Sequence, residues 1–230
     1  MDADVDVIVV VDILSFTTTV DLALMHGVEV LPFGGGDPAE YAAHHGAVVA
    51  SERGGAGVSL SPASIAESIA SGSADGTSRF LIASPNGSGL CFELVDHQAT
   101  VVAACLRNCT AVAQWVLARQ EEKGDRFRVA VIASGEERSD GSIRFAVEDL
   151  LGAGAMIDAL AAAGIDYCSP EAAVASAAFI ALKGATGHLI SASTSGQELI
   201  TRGFRSDIEL ASEIDVSGAV PVLREVSFRR

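Results

Sequence analysis

The feature that most constrains this chain is a run of five β-branched apolar residues, Val7–Val11, followed directly by an acid, Asp12. A short, continuous run of this kind predicts a strand that is buried on both faces of a sheet. Three threonines, Thr17–Thr19, then predict the N-terminus of a helix. A carboxylate at a strand tip beside hydroxyls and free helix N–H groups can hold a metal ion and a phosphate. The same residues also fit an ordinary strand followed by a threonine N-cap, so this stretch alone leaves both interpretations open.

Strands and helices alternate along the rest of the chain. This pattern is typical of βαβ units and predicts an α/β fold, with a largely parallel or mixed sheet covered by helices on both faces. The 230 residues fit one large domain or two small ones, and we predict a single domain over 1–230. The predicted strands are 7–11, 28–31, 47–50, 79–83, 99–103, 128–133 and 220–226. The predicted helices are 17–26, 38–45, 61–70, 109–122, 145–163, 170–182 and 195–203, and 71–78 is predicted as a polar loop.

Five polar segments each follow a predicted strand. In a parallel sheet, ligands bind beyond the carboxyl ends of the strands. We therefore expect the five segments to meet at one edge of the sheet and to form a site. They are 12–19, 52–57, 84–89, 107–108 and 134–142.

The charge balance excludes some classes of partner. Thirty acidic residues against fifteen basic ones give a formal net charge of −15. This disfavours nucleic acid and anionic membranes, because both are bound through basic patches. The apolar runs are of strand length, well short of the roughly 20 residues that a membrane span needs, and no signal-peptide pattern precedes the first strand. We expect a cytoplasmic protein that acts on a small anionic molecule, and we leave a homodimer open.

Five segments carry a resemblance when they are taken in order. They are D-I-L-S-F-T-T-T (12–19), S-E-R-G-G (51–55), S-P-N-G-S (84–88), L-R-N (106–108) and S-I-R-F-A-V-E-D-L-L-G-A-G-A (142–155). Together they resemble the successive motifs of the 2-phosphosulfolactate phosphatases, the ComB-type family of coenzyme M biosynthesis. The resemblance runs from about residue 5 to about residue 160. The ordered set, rather than any single motif, makes it specific.

The resemblance implies a three-layer α/β/α sandwich and Mg²⁺-dependent hydrolysis of a small acidic phosphate monoester, 2-phosphosulfolactate. The implied catalytic acids are Asp12, Glu148 and Asp149, and the candidate Mg²⁺ ligands are these three with Glu52. Without the resemblance, Glu148 and Asp149 also fit a solvated pair in the first turn of a helix. The candidate residues for binding substrate or phosphate are Thr17, Thr18, Arg53, Asn86, Gly87, Ser88 and Arg107.

The chemistry of Mg²⁺ limits how these acids can act. Mg²⁺ usually binds one or two protein carboxylates and keeps several waters. Asp12 with either Glu148 or Asp149 can supply them, and a carboxylate off the metal can deprotonate the attacking water. A phosphoaspartyl route through Asp12 is less favoured, because Leu14 stands where a D-x-D motif has its second acid.

The chain departs from the family at one motif. The family pattern after the first strand is usually D-x-L-R-A-[ST]-T, whereas this chain has Ser15 in place of the arginine and Phe16 in place of the small residue. An arginine at that position would bind a phosphate, sulfonate or carboxylate with two hydrogen bonds. Three alternatives therefore stay open: a 2-phosphosulfolactate phosphatase, a phosphatase for a different small phosphoester, and a non-catalytic protein that binds a phosphate ligand.

Overall fold

A computed structural model describes residues 5–55, 57–71, 78–124 and 126–230. Most of the predicted polar loop 71–78 lies outside the described residues. The strands are β1 (Val7–Val11), β2 (Glu29–Phe33), β3 (Val48–Val49), β4 (Arg79–Ala83), β5 (Thr100–Ala104), β6 (Val129–Ala133), β7 (Glu136–Glu137), β8 (Ile143–Arg144), β9 (Val222–Arg224) and β10 (Ser227–Arg229). The helices are α1 (Phe16–Met25), α2 (Pro38–His44), α3 (Pro62–Ala70), α4 (Gly87–Glu93), α5 (Cys109–Lys123), α6 (Val147–Ala162), α7 (Pro170–Leu182), α8 (Thr186–Ala192), α9 (Thr194–Thr201) and α10 (Arg205–Ala211).

Eight of these strands form one mixed sheet in the order β3-β4-β2-β10-β9-β5-β1-β6. The groups β3-β4-β2 and β5-β1-β6 are each parallel, and the antiparallel pair β9-β10 lies between them. Three antiparallel pairings, β2-β10, β10-β9 and β9-β5, lie between the two groups. The strands of one group are therefore antiparallel to the strands of the other. The sheet is therefore not parallel throughout, so strand direction alone does not place the five polar segments at one edge. Contacts between the segments must decide which of them meet.

Strand β1 lies at the centre of one parallel group and joins two cores. It pairs along its whole length with β5 on one side and with β6 on the other. Its odd-numbered side chains pack in a core with residues from α5–α10, and its even-numbered ones in a core with residues from α1, α3 and α4. All five side chains are buried, and burying each contributes roughly 1.5–3 kcal/mol to stability. The predicted three-layer α/β/α architecture is confirmed.

Two strands differ from their predicted bounds, the second strand and the strand near the C-terminus. The second strand continues through Pro32 to Phe33 instead of ending before the proline. Pro32 pairs with Ile82 of β4, while β10 on the other side is registered only with Val30, so the missing N–H breaks no ladder on that side. The predicted strand 220–226 is instead the hairpin β9-β10, which turns at Glu225 with a φ of +55°.

Other elements were missed where the sequence carries no strong period. The polar segment 134–142 contains the hairpin strand β7 and leads to its partner β8. Three short helices, α4, α8 and α10, are not among the predicted ranges. The helix α7, in contrast, has the predicted bounds, because Ser169 caps it and Pro170 opens it.

Helices α7 and α8 form, with the 3₁₀ turn between them, the stretch Pro170–Ala192. Its mean hydropathy is 1.4 and its most apolar window is 22% buried. By length and composition it is the one helical stretch among the described residues that is long and apolar enough to cross a membrane. The expectation that apolar runs are of strand length is wrong for this stretch.

Two glycines allow α6 to lie against its neighbours. A Cβ on Gly152 would be 2.5 Å from Ile13 Cδ1, and a Cβ on Gly154 would fall on the backbone carbonyl of Ala175 in α7. The sequence prediction that small residues here let the helix approach another backbone is confirmed for Gly154.

We predict that Gly154→Ala destabilises the fold by about 1–3 kcal/mol, because the new methyl group forces α6 and α7 apart. Chemical denaturation monitored by circular dichroism measures this change. Gly218→Ala is the matched control, since a Cβ there meets no atom within 4 Å. Equal unfolding midpoints for the two variants would contradict the packing argument.

Candidate functional site

The turn after β1 fixes the position of Asp12. Thr17 Oγ1 accepts a hydrogen bond from the Asp12 N–H at 3.1 Å and donates one to the Asp12 carbonyl at 2.7 Å. Thr18 Oγ1 donates to the Ile13 carbonyl at 2.9 Å. Both threonines are fully buried. Their hydroxyls are engaged with the main chain of the turn and hold Asp12 in place.

The carboxylate of Asp12 joins two segments of the chain. Oδ1 accepts the N–H of Phe16 at 3.3 Å, which caps helix α1 from the strand side, and Ser15 makes no side-chain cap. Oδ2 accepts the N–H of Gly87 at 2.8 Å, at the start of α4. A Cβ on Gly87 would be 2.6 Å from Asp12 Oδ2, so only glycine permits this approach. The segment after β4 is thereby attached to the segment after β1.

The carboxylate of Asp149 makes an equivalent junction from α6. Its Oδ1 accepts the N–H of Ile13 at 2.8 Å, and its Oδ2 accepts the N–H of Gly135 at 3.0 Å. Asn86 adds a further link, because its Oδ1 accepts the N–H of Glu137 at 2.9 Å. The segments after β1, β4 and β6 therefore meet at the N-terminus of α6.

This junction concentrates negative charge in a buried place. Burial raises the pKa of Asp12 to about 6, the hydrogen bonds from Gly87 and Phe16 oppose this rise, and the negative charges of Glu136 and Glu148 add to it. Burial, and then the charge of Asp12, raise the pKa of Asp149 well above its usual value. Sequence reasoning did not assign Glu136 to the site, although it placed it in the polar segment after β6.

Two polar groups at this junction have no hydrogen-bond partner among the residues that the structure describes. Glu148 is 2% exposed, and no hydrogen bond to its carboxylate is found among the described residues. Ser134 precedes Gly135 in the same segment, and its Oγ is buried without a hydrogen-bond partner among the described residues. Mg²⁺ prefers oxygen ligands, and both of these groups present oxygen atoms. No preformed group of three or more metal-binding side chains is found in the described part of the chain.

Arg53 is the cation next to this acidic junction. Its guanidinium pairs with the buried carboxylate of Asp207, donates to Ser15 Oγ at 3.0 Å and lies 5.4 Å from the centre of the Phe204 ring. Asp12 and Arg202 are both close enough to influence its pKa, which burial lowers. The guanidinium of Arg53 thus reaches the position at which the family pattern has its arginine.

A second guanidinium lies on the same ring. Arg202 Cζ is 5.5 Å from the centre of Phe204, and its residue is exposed. The ring borders a cavity of about 540 Å³ that is lined mainly by glycines and serines, with Glu67 as its one charged lining residue among those described. Sequence reasoning missed Arg202, Phe204 and Asp207. Phe204 and Asp207 belong to the start of α10, which was not predicted, and Arg202 follows α9 with no motif around it.

The remaining candidates lie elsewhere or have other partners. Ser88 Oγ donates to the Ile82 carbonyl at 2.6 Å, accepts from the Phe33 N–H at 2.8 Å and is fully buried. Glu52 is exposed. Arg107 is buried in ion pairs with Asp21 and Glu213, and none of its contacts belongs to the acidic junction. We therefore leave Arg107 and the Ser88 hydroxyl out of the site.

We predict that the metal-free protein loses stability as the pH rises. The pKa of Asp12 is about 6 in the folded protein, against 3.8 for an aspartate in water. The folded protein therefore binds this proton more tightly than the unfolded chain does. The resulting stabilisation is complete below about pH 4 and is lost as the pH rises through 6. The difference between these two pKa values corresponds to roughly 3 kcal/mol in the free energy of unfolding. Urea denaturation in the presence of a chelator, at several pH values, measures this slope.

Asp12→Asn should flatten that slope, and Glu137→Gln, which replaces an exposed acid of the adjoining segment 134–142, should keep it. Equal slopes in the wild type and in Asp12→Asn would show that Asp12 is not the group responsible.

Comparison with known proteins places the chain in a family. A family profile described as 2-phosphosulpholactate phosphatase matches residues 2–226. A 2-phosphosulfolactate phosphatase of Methanothermobacter thermautotrophicus is 30% identical over 94% of this chain and 86% of that protein. Probable 2-phosphosulfolactate phosphatases of Synechococcus sp. and Deinococcus radiodurans are 29% and 27% identical, over 98% and 95% of this chain and 89% and 88% of their own lengths. The chain therefore belongs to the 2-phosphosulfolactate phosphatase family.

Proposed function

We propose that this protein is a Mg²⁺-dependent phosphatase that hydrolyses 2-phosphosulfolactate to sulfolactate and phosphate. The observation that carries the proposal is the buried acidic junction of Asp12, Glu148 and Asp149, in which the Glu148 carboxylate has no hydrogen-bond partner among the described residues. The names of the relatives support the substrate and the reaction class.

The residues at the junction fit a hard divalent cation. Asp12 and Glu148 are the carboxylates that would hold Mg²⁺, and the unpartnered Ser134 hydroxyl lies in the adjoining segment. Each oxygen of the Asp12 carboxylate accepts one backbone hydrogen bond and retains a second lone pair for a metal. When bound, the cation would polarise the phosphoryl group and lower the pKa of a bound water. A positive charge here would also offset the repulsion among the buried acids.

The chain's own groups would position the reaction. Asp149 orders the turn after β1 through the Ile13 N–H and the segment after β6 through the Gly135 N–H. Its raised pKa suits it to accept the proton of the attacking water. The leaving oxygen of the substrate then takes a proton as the P–O bond breaks, so the products are sulfolactate and phosphate.

The cationic side of the site suits an acidic substrate. The guanidiniums of Arg53 and Arg202 both lie on Phe204, next to a polar cavity. Since 2-phosphosulfolactate carries a sulfonate and a carboxylate besides its phosphate, we assign these guanidiniums to the anionic groups that do not react. Arg53 is already paired with Asp207, so Arg202 is the freer of the two for a ligand.

The contact of Arg53 with Ser15 favours one alternative substrate class. Position 15 is a serine in this chain and an arginine in the family pattern. Here the guanidinium of Arg53 contacts the Ser15 hydroxyl, so one arginine lies where the family would have two. A different small phosphoester, with a differently placed acidic group, therefore remains the second candidate. Comparing turnover of 2-phosphosulfolactate with that of other small acidic phosphoesters separates the two, and turnover of none of them with Mg²⁺ would leave the non-catalytic alternative.

We predict that Mg²⁺ raises the melting temperature of the wild-type protein and supports phosphate release. Asp12→Asn and Glu148→Gln should lose both effects, with activity falling at least about 1,000-fold, because each removes a carboxylate from the cation. Glu148→Gln is the sharper variant, since Glu148 accepts no hydrogen bond from the described residues and its loss costs little structure.

The matched control is Glu137→Gln, which removes an exposed acid from the segment 134–142 that precedes α6 and should retain both effects. Full Mg²⁺ stabilisation and full activity in Glu148→Gln would remove Glu148 from the site.

We predict that Arg202→Ala raises KM for 2-phosphosulfolactate about tenfold, because a charge-assisted contact with the substrate is lost. Hydrolysis of p-nitrophenyl phosphate, which has no second acidic group, should be unchanged. Arg224→Ala, at an exposed arginine of β9, is the control. Equal losses on both substrates would assign Arg202 a structural role instead.

A further inference from the structure

Asp207 is a buried acid that the proposed reaction does not use. It belongs to helix α10 and is 0% exposed. Its neighbour Ile208 is 2% exposed and packs in the same core as Val11 and Ile13, on either side of Asp12. The backbone that carries Asp207 is therefore packed against the segment that carries the acidic junction. A fully buried carboxylate is costly unless its oxygens have partners, so its contacts indicate its role.

The two oxygens of the Asp207 carboxylate have different partners. Oδ1 accepts the N–H of Ala63 at 3.1 Å and the hydroxyl of Ser61, at the start of helix α3. Oδ2 accepts a hydrogen bond from Nη1 of Arg53, and this contact is a buried ion pair. One oxygen thus stabilises the start of a helix, whereas the other acts on the arginine next to the acidic junction.

Three further contacts fix the direction in which the Arg53 guanidinium points. Its Nη2 donates to Ser15 Oγ at 3.0 Å and to the Leu60 carbonyl at 3.4 Å, and its Cζ lies 5.4 Å from the centre of the Phe204 ring. The side chain is 8% exposed. None of these three groups carries a charge, so the pair with Asp207 is the only ion pair that Arg53 makes among the described residues.

A second acid competes for the same guanidinium. Burial lowers the pKa of Arg53, and the charges of two acids oppose this effect, Asp207 first and Asp12 second. The Ser15 hydroxyl that Arg53 contacts is one residue from Phe16, whose N–H binds Asp12 Oδ1 at 3.3 Å. A buried charge that loses its partner is strongly destabilised. Without the charge of Asp207, the Asp12 carboxylate is therefore the remaining anion for Arg53.

We propose that Asp207 is a positioning residue, which holds the guanidinium of Arg53 at Ser15 and prevents it from pairing with Asp12. The consequence, which rests on the proposed function, is that Asp12 stays available to a divalent cation and Arg53 to an anionic group of the substrate. An ion pair between Arg53 and Asp12 would remove both.

Asp207→Asn separates the two roles of the carboxylate. The amide oxygen of the asparagine can still accept from Ala63 and Ser61, whereas its NH₂ group would face Arg53 Nη1, which is another donor. The crystal structure of this variant without metal should show the Arg53 guanidinium on a carboxylate oxygen of Asp12. A guanidinium that keeps its wild-type position in that structure would overturn the proposal.

Binding of Mn²⁺ to the full chain, measured by isothermal titration calorimetry, is a second readout that needs no turnover. Asp207→Asn should bind Mn²⁺ about tenfold more weakly than the wild type does, because Arg53 competes for Asp12. The double variant, Asp207→Asn with Arg53→Gln, should bind Mn²⁺ as the wild type does. It has the same net charge as the wild type and no guanidinium that competes. A merely structural loss in Asp207→Asn would not be restored by the second substitution.

Two further variants complete the test, with circular dichroism to check that each is folded. Ser61→Ala is the matched control, because it removes a hydrogen bond to Asp207 Oδ1 and leaves the ion pair with Arg53 in place. Asp207→Glu keeps the negative charge. Both should bind Mn²⁺ with the wild-type affinity, and loss of binding in folded Asp207→Glu would overturn the proposal.

The affinities also distinguish this proposal from the proposed function. Equal Mn²⁺ affinity in the wild type and Asp207→Asn would overturn the positioning role, as would equally weak binding in Asp207→Asn and the double variant. A wild type that binds Mn²⁺ but hydrolyses no phosphoester would contradict the proposed function alone. For a wild type that binds no Mn²⁺, the metal-free crystal structure of Asp207→Asn still decides where Arg53 goes.

Discussion

The structure depends on two buried carboxylates that accept four backbone hydrogen bonds. Asp12 takes the N–H groups of Phe16 and Gly87, and Asp149 takes those of Ile13 and Gly135. These bonds join the segments after β1, β4 and β6 to the N-terminus of α6, although the two parallel groups of strands run in opposite directions. Buried carboxylates are costly unless they are hydrogen-bonded or neutralised, so these four hydrogen bonds offset part of the cost of burying the two acids.

The sequence was most informative where one local signal decides the structure. Five β-branched residues predicted β1 with its observed bounds, and Pro170 predicted the start of α7. The sequence-based prediction failed where the structure of a segment depends on the strand with which it pairs. Pro32 is tolerated because β10 is not registered with it, and the direction of β9 and β10 reverses the relation between the two parallel groups. No local pattern encodes either relation, since both depend on pairings between strands that are far apart along the chain, such as Val30 with Phe228 and Val102 with Val222.

For the site, the sequence found the acids but not the role of every polar residue. Asp12, Glu148 and Asp149 were predicted, and they meet. The hydroxyls of Thr17 and Thr18 hydrogen-bond to the main chain of the turn, because free backbone groups nearby are their first partners. Their binding of phosphate stays a prediction. The sequence could not separate Arg53, which reaches the site, from Arg107, which is buried in ion pairs. Both follow a strand, and only the tertiary fold distinguishes them.

The central claim is that the acidic junction at Asp12 binds a divalent cation and the substrate phosphate together. Crystals grown with Mn²⁺ and inorganic phosphate test it most directly, because the anomalous signal of Mn²⁺ locates the cation without reference to activity. The account predicts one anomalous peak about 2.1 Å from a carboxylate oxygen of Asp12, with a phosphate oxygen among the other ligands. A Mn²⁺ peak only at other residues, or phosphate bound away from the metal, would contradict it.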